Sequence, residues 1–362
     1  MLSGRIQVAN NVTFKQDKIS VSDKKTEIRS DLAKTTTKDS FEKEVKQKGG
    51  KKQHKFGKIV LAVSLSLLLI YGSVVLKRKL TKPTFDEIQR CFKEIFEKDL
   101  SADEVSSLVE KYKNICKNKN TEEFTKDIIA QLKKDYGIEN VATDIKVVKL
   151  KDGSLKTILE RTEAGNANPL GNINIMPATH NDIITHSVQK DMFCTGFHEL
   201  KHTKQFADAY CTDPERFVKA ILNTVDEKAI VNAIEETKQN ILKKAQELKN
   251  TTHKSIDIDT IIKDIRRNSG MSTDNDIRNK VMEASKADLR KQLDLRYGKL
   301  EKFKPGTPEY EKGLEYISGY EKYTDAVNNY DSYRNNILEK EAWQVSDLAE
   351  KIYRYSSSIW KL

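Results

Sequence analysis

Residues 198–202 read His-Glu-Leu-Lys-His, and this pentad limits the fold more than any other stretch of the chain. On a helix, side chains four apart share a face. His198 and His202 can therefore turn two imidazoles toward one point, with Glu199 one step round. Phe193, Phe197, Leu200 and Ala207 fall at helical spacing around the motif and define a stripe that buries one side of the helix. Two imidazoles inside a core need partners, because an unsatisfied buried polar group is costly. A metal ion meets that need. Zinc suits imidazole and carboxylate ligands with one position left open, and a carboxylate beside it is placed to take a proton from water. The motif thus demands a buried helix, a third ligand brought from elsewhere, and Glu199 held beside the ion.

The distribution of charge divides the rest of the chain. Its 362 residues suffice for two or three units. Net charge is +10, but residues 1–58 carry 15 Lys/Arg against 7 Asp/Glu, and residues 77–82 add four more cations. Residues 83–362 hold 45 basic against 47 acidic groups, so the whole basic excess flanks residues 59–76. That segment is 18 residues long without a charge, which is the lower end of a bilayer-spanning length. Cations at both ends fit a transmembrane helix over residues 56–80 better than a buried core helix. The late start and the lack of a small-residue cleavage site argue against a cleaved signal. Six cations before the span and five after leave the side of the catalytic domain undetermined.

Residues 1–55 are polar and lack a sustained apolar period, so they are expected to be a disordered basic tail. Such a tail can meet anionic headgroups or nucleic acid. Its place beside the span favours a topogenic role, and no nucleic-acid partner is expected.

From Thr84 onward helical periodicity dominates. Phe85, Ile88, Cys91, Phe92, Ile95 and Phe96 mark one helix. Ser101 and Glu104 form a capping box for a second, and Thr121 opens a third. These predict a helical module over residues 83–137. Residues 140–150 and 155–162 predict a β-hairpin about the turn at Lys151-Asp152-Gly153, and residues 172–176 predict a short strand. A strand just before the motif could lie along a substrate cleft, where an extended peptide can add to a sheet edge. Residues 214–302 read as a long helical insertion within a domain spanning 138–362. None of Cys91, Cys116, Cys194 and Cys211 forms a CxxC pair, which excludes a Cys-type zinc finger. His180 and His186 precede the motif helix and are secondary candidates for polarising an intermediate. Tyr330 and Tyr333 are candidate donors to its oxyanion.

The third ligand is sought in residues 330–344, where Glu339 and Ala342 form Glu-x-x-Ala. An HExxH helix followed downstream by Glu-x-x-Ala resembles the gluzincin-type zinc metallopeptidases, including the membrane-anchored prenyl-protease and HtpX type. The resemblance implies a zincin-like catalytic domain, Zn2+ as cofactor, peptide or protein substrates, and Glu339 as third ligand. The family often has Asp or Asn after the Ala; here the position is Trp343. Asn336 and Glu339 also have capping-box spacing, so Glu339 can be read as a helix cap. Glu341, two residues on and on another face, is the alternative ligand.

The expected architecture is α+β and mainly helical: a zincin-like domain with a small antiparallel sheet and a long helical insertion, preceded by one transmembrane helix. The expected function is membrane-anchored, single-pass, zinc-dependent peptide hydrolysis with Glu199 as general base. The alternative is an inactive metallopeptidase-like domain tethered to the membrane as a binding or scaffold protein.

Overall fold

The computed structural model describes residues 14–17 and 83–357, except 155–156, 158–162, 252–254 and 324–328. The expected transmembrane segment and most of the expected tail lie outside the described residues. Among the described residues, no helix is long and apolar enough to cross a membrane.

Three helices open the described body: α1 (Phe85–Phe96), α2 (Ala102–Ile115) and α3 (Thr121–Asp135). Each begins where the sequence supplies an acceptor for orphan amides. Thr84 with Glu87 and Ser101 with Glu104 form capping boxes, and Asn120 accepts from Glu122 and Glu123. Their apolar stripes do not form a separate core. Ile88, Phe92, Tyr112 and Ile128 join the same apolar cluster as Phe193, Phe197 and Leu200 of the motif helix. Tyr112 meets both Phe193 and Phe197 with ring centroids 5.6 Å apart.

The sheet comprises β1 (Phe14–Asp17), β2 (Asp144–Val147), β3 (Glu163–Ala167) and β4 (Asn172–Ile175), in the order β1-β3-β4-β2. The expected small antiparallel sheet is in fact mixed. β3 runs antiparallel to β4, with Gly165 opposite Ile175, whereas β2 runs parallel to β4, with Asp144 opposite Asn172. The second strand of the expected hairpin, residues 155–162, lies outside the described residues apart from Thr157. Among the described strands, β2 takes β4 as its partner. β1 pairs antiparallel with β3, Phe14 opposite Ala167 and Asp17 opposite Glu163, with the register shifting between Lys15 and Asp17.

The motif lies on α4 (His186–Thr212), a helix of 27 residues. It passes through the middle of the body and is buried on nearly all sides over Thr195–Ala207, not along one stripe only. Asp213 ends it and caps α5 (Pro214–Asn223), whose Pro214 sits where the missing amide costs nothing.

Helices α6 (Glu227–Thr251), α7 (Ile258–Asn268) and α8 (Asp274–Tyr297) share a second apolar cluster that includes Ile230, Ile241, Ile265, Ile277 and Val281. The end of α8 returns to the main core. Tyr297 donates to the Pro169 carbonyl at 2.8 Å, and the Tyr210 hydroxyl of α4 bonds Asp294. Then α9 (Pro308–Glu321), α10 (Tyr330–Asn335) and α11 (Ile337–Ser356) close over α4. The architecture is thus α+β and mainly helical, with α4 enclosed by α11 and α9 on one side and by β3 on the other.

Candidate metal centre

His198, Glu199 and His202 are each fully buried on α4, and Glu339 is fully buried in the first turn of α11. The Nε2 atoms of His198 and His202 lie 3.1 Å apart. The Glu339 carboxylate closes the triangle, with Oε2 3.6 Å from His198 Nε2 and Oε1 3.5 Å from His202 Nε2. Bonds of 2.0–2.2 Å to a tetrahedral ion would place its ligand atoms about 3.3–3.5 Å from one another. The three separations, 3.1, 3.5 and 3.6 Å, lie within about 0.2 Å of that range, and this buried His–His–Glu group can hold a metal ion.

The competing reading of Glu339 as a helix cap fails on geometry. Asn336 caps α11 by accepting from the Leu338 amide at 3.0 Å, while the Glu339 carboxylate turns inward. Glu341 is not brought to the cluster. It accepts from Tyr316 at 2.8 Å and pairs with Lys312 at 2.5 Å and Lys201 at 3.3 Å. Burial alone would raise its pKa, but Lys201, Lys312 and Tyr316 outweigh burial and hold the carboxyl below its usual range.

Electrostatics at the centre favour a cation. Burial pushes the His198 imidazole down to about 3 and His202 down to about 4, so both are neutral and carry a free lone pair. Burial, then Glu339 and Glu163, pushes the Glu199 carboxyl well above its usual range. Burial also raises Glu339. Neutral imidazoles and crowded acids describe the chain without an ion; a bound divalent cation inverts that balance.

Among the described residues, neither oxygen of Glu199 has a hydrogen-bond partner. One reason it can be buried there is Gly165 on β3. A Cβ added at Gly165 would stand 2.9 Å from Glu199 Oε1, 2.6 Å from Thr195 Cγ2 and 3.0 Å from the Asn174 carbonyl. Gly165→Ala is therefore expected to displace Glu199 while leaving the three donors in place. The expected result is unchanged metal content, with any hydrolysis at this centre at least about tenfold slower, given that a 1 Å misplacement can cost about 10²-fold.

Further residues complete the centre, of which Tyr323, Gln205 and Arg334 were not singled out in the sequence. Tyr323 donates to Glu339 Oε1 at 3.1 Å, and buried Tyr333 also hydrogen-bonds that carboxylate. Tyr333 thus engages the candidate ligand, and Tyr330 is half exposed at the surface. Gln205 lies 3.0 Å from His202 Nδ1. Trp343 packs edge-on against His198 at 4.9 Å, and the Arg334 guanidinium stacks 4.3 Å from the Trp343 ring. His198 turns its Nδ1 toward the Ala342 backbone, outside ordinary hydrogen-bond geometry. Neither earlier histidine reaches the centre: His180 is exposed, and His186 bonds the Tyr353 hydroxyl at 2.8 Å. All four cysteines are free.

Compared with known proteins, the chain matches no family model, no curated protein and no solved structure.

Proposed function

We propose that the chain is a zinc-dependent peptidase of the gluzincin type, with His198, His202 and Glu339 as ligands and Glu199 as general base. The observation that carries this reading is a single one: a fully buried carboxylate without any hydrogen-bond partner stands beside three donors at metal-ligand separations. A structural site would have no use for an unpaired buried acid, because burying one without compensation is costly. Zinc bound there would act as a Lewis acid and lower the pKa of water to about 7. Glu199 would accept the proton of the attacking water and pass it to the leaving amine. Tyr323 and Tyr333 would hold the Glu339 carboxylate in place. Trp343 would keep the His198 side of the centre dry. Peptides or proteins would be the substrates, and residues 59–76 would hold the domain at a bilayer.

The test pairs metal analysis with activity. Purified full-length protein is expected to contain about one zinc per chain. It should cleave an unfolded-protein or peptide-library substrate, stop when chelated, and recover on adding zinc. Protein that neither retains nor takes up zinc would sink the proposal.

A further inference from the structure

Gln205 sits three residues beyond His202 on α4 and is fully buried. Its amide makes three contacts, and together they leave it one orientation. Nε2 lies 3.2 Å from the Leu338 carbonyl oxygen and 3.3 Å from Glu341 Oε2. Both are acceptors; the Glu341 carboxylate already receives Lys201, Lys312 and Tyr316. Reversing the amide would set its oxygen against a carbonyl and a carboxylate at once, which no hydrogen bond could relieve. The amide oxygen must therefore be the atom 3.0 Å from His202 Nδ1. An amide oxygen only accepts, so Nδ1 carries the proton. His202 Nε2 is then a bare lone pair directed at His198 Nε2 and Glu339 Oε1.

We infer that Gln205 is a positioning residue that fixes His202 in its Nδ1–H tautomer, and that Glu341 and the Leu338 carbonyl fix Gln205. For metal affinity this rests on the proposed zinc site; for the tautomer it stands on the hydrogen bonds alone. The arrangement gives Glu341 a role distinct from ligation. Its carboxylate collects two lysines, a tyrosine and Gln205, and so transmits a fixed orientation to the imidazole. The contact with Leu338 has a second consequence, because Leu338 immediately precedes Glu339. One amide thus orients His202 and also ties its helix to the backbone that delivers the third donor. Neutral imidazole ligands commonly have the other ring N–H held by a carboxylate or carbonyl, and losing that partner typically costs 10–100-fold in metal affinity. Here an amide oxygen takes that part.

The experiment uses the full chain labelled with 15N-histidine, which has six histidines to assign. In metal-free wild type, His202 is expected as Nδ1–H. Gln205→Leu keeps the volume but removes the acceptor; it should populate Nε2–H and weaken zinc binding by about 10–100-fold in a chelator competition. If Gln205→Leu fails to fold, wild type decides alone: His202 found as Nε2–H in the metal-free protein overturns the inference. An unchanged Nδ1–H tautomer in folded Gln205→Leu overturns it likewise, whatever the affinity does. Wild type that binds no zinc would defeat the proposed function, while the tautomer would still decide the part played by Gln205.

Discussion

Glu199→Gln is expected to retain zinc and fold and to lose cleavage by about 10²–10⁴-fold, the usual cost of removing a positioned general base. Glutamine keeps the size and planarity of the side chain, so the space left by Gly165 still accommodates it. What it loses is the ability to take a proton. Among the described residues the wild-type side chain has no hydrogen-bond partner to lose, so the substitution breaks no hydrogen bond there. Stability should therefore hold, because a side chain of the same shape replaces it. Parallel measurement of zinc content, thermal midpoint and kcat separates the outcomes. A variant that cleaves as fast as wild type refutes the role given to Glu199. Equal zinc in both with cleavage in neither would point to a binding domain.

The second large effect separates two glutamates only two residues apart. Glu339→Gln should reduce zinc affinity by more than about 10²-fold, beyond the range typical of an outer-shell partner. Its amide can still meet Tyr323, so loss of affinity will not reflect collapse of the site. Glu341→Gln should bind zinc nearly as wild type does, because an amide oxygen can still accept from Gln205. It should instead lower thermal stability, since Lys201 is 4% exposed and would keep only Glu97, at 2.8 Å, as a carboxylate partner. Chelator competition on both variants, with thermal denaturation alongside, reads both effects. The reverse ranking would assign the third ligand to Glu341.

What could be read from the sequence follows from how local each signal is. The helices around Phe92, Val105 and Phe124 were legible because capping residues and an apolar period of 3.6 sit within each segment. His198, Glu199 and His202 were legible for the same reason: their spacing alone puts them together. Glu339 came into view only through a resemblance, and its choice over Glu341 needed the inward turn of α11. β3 was not legible. Its Glu-Ala-Gly-Asn-Ala has low strand propensity, yet it pairs with β4 and packs on α4 because Gly165 permits close approach. The parallel pairing of β2 with β4 was hidden as well, since a crossover leaves no mark at either strand. Gln205 and Tyr323 had no motif to announce them. In hindsight the faint signal was a polar Gln three residues past a ligand, on the face of the helix that carries both histidines.

The short strand β1 has a consequence for which side of a membrane each part of the chain can occupy. Phe14–Asp17 and Glu163–Ala167 share backbone hydrogen bonds, so within one chain they must lie in the same compartment. A chain that crossed a bilayer once through residues 59–76 would put them in different compartments. One crossing and this strand pair therefore exclude each other, whereas a segment that enters and leaves on the same face permits both. Gln16→Cys, placed in β1, reports the outcome in sealed vesicles. If it reacts with an impermeant thiol reagent on the same side as a cysteine introduced at exposed Lys146 of β2, the sheet is whole and the segment does not span; labelling on opposite sides would mean a spanning anchor and a sheet that ends at β3.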